Sequence, residues 1–146
     1  MEIYKKFVPD QNEYGAFYSN YINNVNGLSI SEAFAKDEAE WHHFFSHLDD
    51  SKVHFAYAEG KWTIAELLLH QIDTEGIFAG RALKLIRRED QPLPGFDQDV
   101  YVENSRASKE TIESLKSQWE ITRQYMRSIL SNASDEDLEY IGNASG

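Results

Sequence analysis

The chain has 146 residues, 41% of them apolar, and a formal net charge of -11, which predicts one domain with a real core. The absence of cysteine excludes disulfides and thiolate metal sites. The acidity argues against nucleic acid and against an anionic membrane surface, both of which select basic patches.

The densest basic cluster, Lys84, Arg87 and Arg88, sits beside Glu89 and Asp90. No apolar run reaches the length of a membrane span, and the N-terminus MEIYKKFVPDQNEY lacks the apolar core of a signal peptide. These features predict a soluble, cytoplasmic protein.

Nearly every segment has a helical period. The first follows Pro9 and Asp10, with Tyr14, Phe17, Tyr18, Tyr21, Ile22 and Val25 at three- and four-residue spacing. Asn26-Gly27 is a stop signal, because glycine accepts the left-handed conformation. The second segment starts near Ser29 or Ser31 and carries a stripe of Ile30, Ala33, Phe34, Trp41, Phe44, Phe45 and Leu48.

The third has the clearest start. Thr63-Ile64-Ala65-Glu66 is a capping box, in which threonine and glutamate satisfy each other's backbone N–H groups. The helix is expected to run to about Arg88. Ile64, Leu68, Ile72, Ala79, Ala82 and Ile86 line one face, while Leu67, Leu69 and Ile77 spread apolar surface round the rest. Such a helix is buried on several sides, as a central helix or at a dimer contact.

Residues 89–107 hold two prolines and a glycine and no helical period. They are too long for a tight interhelical turn and predict a crossover loop. A fourth segment is expected from near Ser108, with Ile112, Leu115, Trp119, Thr122, Met126, Ile129 and Leu130 buried. A short helix at Ser134–Leu138 and the tail IGNASG follow.

Few residues are candidates for chemistry. His70 is either a packed histidine bonded to a neighbour or a metal ligand. It lies about 160° round the helix from Leu68, on the side of Thr74, Ile77 and Arg81. Glu75 falls about 20° from Leu68, between Ile72 and Ala79 on the apolar stripe. A buried carboxylate must be paired, protonated or metal-bound, and Arg81 or a tyrosine is the expected structural partner.

His43 and His47 have chelating i, i+4 spacing but share a side with Lys36 and Glu40, the pattern of a solvated face. His42 and His54 carry no motif. Asp97 and Asp99, in GFDQD, either bind a cation or form an ordinary turn. Trp41, Trp62 and Trp119 suggest core aromatics before an aromatic pocket. No phosphate loop, nucleophile elbow or dinucleotide fingerprint is present.

YAEGKWTIAELLLHQIDTEGIFAGRAL (residues 57–83), LPGFDQDVY (93–101), SDEDL and GNASG together resemble the DinB-like superfamily, in its second DinB subfamily. The resemblance runs from about Phe17 to the last residue. It implies an all-α four-helix bundle with a long link between helices two and three, as read for residues 89–107, and a frequent homodimer.

It also implies a divalent metal, nickel or zinc, held by three histidines in an enzyme of hydrolase or thiol-transferase type, with a small molecule or thiol as substrate. His70 stands at the first ligand position. Asp73, Glu75 and Arg81 would support the ligands, and Asp97 and Asp99 would border the pocket. The other two ligands of the family come from an H-x3-H pair on a fourth helix after GNASG, so they are expected beyond Gly146. The alternative is a non-catalytic helical homodimer or partner-binding module with a degenerate metal site.

Overall fold

The computed structural model describes residue 3 and residues 8–144. Its elements are all helical: α1 (Ser19–Val25), α2 (Ile30–His47), α3 (Ile64–Ile86), α4 (Gln98–Asn104), α5 (Ile112–Ser131) and α6 (Asp135–Leu138), with short 3-10 turns between several of them. The one β feature among the described residues is an isolated parallel bridge, Leu93 to Ala144. No described helix is long and apolar enough to cross a membrane. The chain divides into two compact units, Met1–Ser46 and His47–Gly146.

In the first unit, the segment expected to be helical from Tyr14 opens instead as a 3-10 turn, Ala16–Tyr18, before α1. Gly15 precedes that turn in an extended conformation. The Asn26-Gly27 stop is realised: Gly27 has φ 83° and the Leu28 N–H donates to Val25 O at 3.0 Å. Ser29 and Glu32 then cap α2 reciprocally, Ser29 N to Glu32 Oε2 at 2.7 Å and Glu32 N to Ser29 Oγ at 3.3 Å. Trp41 packs its ring against Phe45 on the next turn. His43 and His47 are exposed, as their side of the helix predicts, and so is His42.

The second unit is organised by α3, which packs chiefly along α5 and also touches α4 and α6. The seam is made of the expected stripes. Leu68, Ile72, Ala79 and Ile86 on α3, and Leu115, Trp119 and Ile129 on α5, are all buried. At its lower end Ala79, Ile86 and Ile129 form one cluster, joined by Ala82, Leu83, Met126, Leu130 and Ala133. Leu67 and Phe78, off the stripe, remain exposed.

α3 ends two residues before the expected Arg88, in a Schellman arrangement. Arg88 N donates to Leu85 O at 2.9 Å and Glu89 N to Lys84 O at 3.0 Å. The left-handed position belongs to Arg88, φ 60°, rather than to a glycine. Its guanidinium accounts for the exception: it bonds Asp137 Oδ1 at 2.9 Å and lies 4.5 Å from the Tyr140 ring centroid, joining α3 to α6.

Residues 89–107 are not a bare loop. They contain α4 and lead into a 3-10 turn at Ala107–Lys109. The helix was hidden because it is only 7 residues long, too short to show a period. The loop before it is anchored: Leu93 is 2% exposed and its N–H donates to Asn143 O at 2.9 Å. A Cβ on Gly142 would meet Leu85 Cδ2, so a larger residue there requires the leucine side chain to turn aside. α5 begins at Ile112, capped by Thr111 and Ser114, later than the expected Ser108.

Candidate functional site

The upper end of α3 is fixed by the predicted capping box. Glu66 N donates to Thr63 Oγ1 at 3.2 Å, and Thr63 N donates to Glu66 Oε2 at 2.7 Å. The preceding loop is tied to the same turn by Ile64 N to Phe55 O at 3.1 Å and Ala65 N to Val53 O at 2.8 Å. Trp62 is therefore held immediately before the helix, where its ring meets that of His70, centroids 5.1 Å apart and planes at 51°.

His70 is half-buried, and its Nδ1 has no hydrogen-bond partner among the described residues. Thr74, one turn on, does not supply one. Its hydroxyl donates to His70 O at 2.7 Å. Asp73 is half-buried, and burial raises its carboxyl pKa above 3.8 against the opposing attraction of His70. His70 thus has Trp62 on one side and Asp73 as its charged neighbour, in the N-terminal half of α3.

Glu75 belongs to a different arrangement. Arg123 of α5 grips it with both prongs, Nε to Oε1 at 2.6 Å and Nη2 to Oε2 at 3.0 Å. The two side chains are 15% and 10% exposed, so this is a buried, bidentate pair. The Arg123 guanidinium also lies 5.6 Å from the centroid of the buried Trp119 ring. Neither Arg81 nor a tyrosine is the partner here. Arg81 instead donates from Nη2 to Pro94 O at 2.6 Å, holding the loop before α4.

Asp97 is the N-cap of α4. Its Oδ1 accepts from Asp99 N at 3.0 Å and Val100 N at 3.2 Å. Asp99 is exposed on the first turn of that helix. The turn-forming reading of GFDQD accounts for both. Within the second unit, Trp119 is a core residue of α5 and Trp62 touches His70; Trp41 belongs to the first unit.

Among the described residues, no group of three or more His, Cys, Asp or Glu side chains is disposed to hold a metal ion. His70, whose buried Nδ1 has no partner among the described residues, stands without the companion donors that a metal would need. Arg123 escaped the sequence reading, although a signal was present. It lies four residues after Trp119 and three before Met126, on the apolar stripe of α5, as Glu75 does on α3. Two opposite charges on two facing stripes form a pair.

A family model described as the DinB superfamily matches residues 33–146. No curated protein and no solved structure matches the chain.

Proposed function

The chain belongs to the DinB superfamily and has an all-α, DinB-like fold, and on that premise we propose that it works as a divalent-metal-dependent enzyme of hydrolase or thiol-transferase type. One observation carries the reading: the buried Nδ1 of His70 lacks a hydrogen-bond partner at the end of α3. Buried polar atoms are ordinarily satisfied, and an exception calls for a functional account. A neutral imidazole is a common ligand for nickel and zinc.

In this reading His70 supplies one donor, and the remaining donors come from outside the described residues. When bound, the metal would lower the pKa of a coordinated water or thiol and so generate a nucleophile. The chain's own residues set the surroundings. Asp73 presents a carboxyl beside His70 whose pKa burial raises, against the opposing attraction of His70. Arg81 fixes the loop before α4 through Pro94 O. The Glu75–Arg123 pair keeps α3 and α5 in register below the site.

Metal analysis tests the proposal. Protein purified after growth with nickel and zinc is expected to carry a stoichiometric divalent ion that is lost in His70→Gln. Less than about a tenth of an equivalent in the wild type would defeat it.

A second reading, a homodimer that binds through helix surfaces, is favoured by Ile121 and Tyr125. They stand one turn apart on α5 and are 65% and 49% exposed. Sedimentation at low concentration separates the two readings. A monomer that still binds metal would leave only the enzyme.

A further inference from the structure

The two nitrogens of the His70 ring have unequal demands. A neutral imidazole carries one N–H donor and one bare acceptor, on either nitrogen. Nδ1 is the buried atom without a partner among the described residues. A buried N–H with no acceptor is among the rarest of unsatisfied groups, whereas an under-used acceptor is better tolerated. The proton therefore belongs on Nε2, and the Nδ1 lone pair is left bare.

That assignment holds only while the ring keeps its orientation. Rotation about the terminal torsion of a histidine meets a broad, roughly two-fold potential, so the side chain does not hold the ring by itself. The backbone of His70 is fixed by α3, and its carbonyl is occupied by Thr74 Oγ1. Neither restrains the ring plane. The indole of Trp62 meets the ring's face, 5.1 Å between centroids and tilted by 51°.

Trp62 is suited to this because it is itself restrained. The residue after it, Thr63, is held by Glu66 Oε2 through its N–H at 2.7 Å and its hydroxyl at 2.9 Å. The loop before it is pinned to α3 through Val53 O and Phe55 O. A large, flat side chain on a fixed backbone makes a wall against which the imidazole lies.

We propose that Trp62 is a positioning residue for His70: it holds the imidazole with Nδ1 facing inward and unprotonated. The purpose of that arrangement rests on the metal-site reading above. The ring geometry and the tautomer do not.

The experiment is a long-range proton–nitrogen correlation of the histidine rings in metal-free, nitrogen-labelled protein, with His70 assigned by its absence in His70→Gln. The wild type is expected to show one His70 tautomer, protonated at Nε2. Trp62→Leu is expected to give a ring averaged between tautomers while the α3 amide signals persist, and Trp62→Phe, which keeps an aromatic wall, is expected to restore the single form. If Trp62→Leu loses the fold, Trp62→Met, unbranched and without a flat face, is read in its place.

A wild-type ring protonated at Nδ1 overturns the proposal. So does a leucine or methionine variant whose His70 correlations match the wild type. Failure here is distinct from failure of the metal reading. An averaged wild-type ring in a protein that binds metal through His70 would remove the positioning role alone. A fixed ring in a protein that takes up no metal would leave Trp62 its role and remove the enzyme.

Discussion

Two half-buried polar side chains of α3, His70 and Glu75, stand five residues apart and differ in one respect that matters. Glu75 is saturated: the Arg123 fork meets both of its oxygens. His70 is not, since its Nδ1 faces the interior without a partner among the described residues. Both are costly groups to bury. The first has been given a dedicated partner from α5. The second has been given a tryptophan wall and, among the described residues, no partner for its Nδ1. On the metal-site reading, the difference separates a polar group used to build the fold from one kept for a ligand.

The largest test of that distinction is to break the satisfied pair. Arg123→Met strands a buried carboxylate and is expected to cost about 3–5 kcal/mol, read from the urea unfolding midpoint. The double variant Glu75→Met with Arg123→Met is expected to recover most of the loss, because two apolar groups in place of a buried ion pair are often neutral or better. A cost below about 1 kcal/mol for Arg123→Met would show a pair that water reaches, of surface character.

The counterpart on the other group has the opposite sign. His70→Phe keeps a flat ring against Trp62 and removes the unpartnered nitrogen. In metal-free protein it is expected to leave stability unchanged or to raise it by about 1 kcal/mol, while abolishing metal uptake. A clear loss of stability would mean that His70 is satisfied in solution and structural after all.

How far these two groups were legible in the sequence follows from the same contrast. The stripe of Leu68, Ile72, Ala79 and Ile86 gave away the buried face of α3, and the capping box gave away its start. Glu75 was visible as a charge on that stripe. Its partner was sought at Arg81 or a tyrosine, although the pairing is with an arginine 48 residues away in sequence. Periodicity locates a face of each helix without saying which faces meet. α4 was missed because seven residues hold too few turns for a period to emerge. The unpartnered state of Nδ1 and its contact with Trp62 depend on rotamers and loop bonding, which spacing does not encode.

A smaller effect is expected at Thr63, the cap that holds the residue next to Trp62. Thr63→Ala removes the acceptor for Glu66 N and is expected to cost about 1 kcal/mol in thermal or urea unfolding. The comparison predicts where the damage is felt. Amide exchange should quicken in the first turn of α3 and in the loop before it, while the turn around Glu75 stays protected. Equal loss at both ends would mean that the two arrangements are one cooperative unit.

The smallest expected effect belongs to Asp73, the carboxyl one turn beyond His70. Burial raises its folded pKa above 3.8, and the attraction of His70 only partly opposes this. Between the ordinary carboxylate value and the raised one, the folded chain therefore binds more protons than the unfolded chain. Stability then falls as pH rises through that window, and the contribution of the protonated acid is complete only below it. Asp73→Asn stays neutral throughout. Wild type and variant are expected to coincide at the acid end and to separate as pH rises, with the variant the more stable in metal-free protein. Parallel urea titrations across that window read the difference, and Glu75→Gln run alongside would show no such gain, because Arg123 would lose its counter-charge. If Asp73→Asn were the less stable form above the window, the Asp73 carboxylate would have a donor of its own. The upper end of α3 would then be a satisfied network like the lower one, and the case for a kept site at His70 would lose its neighbour.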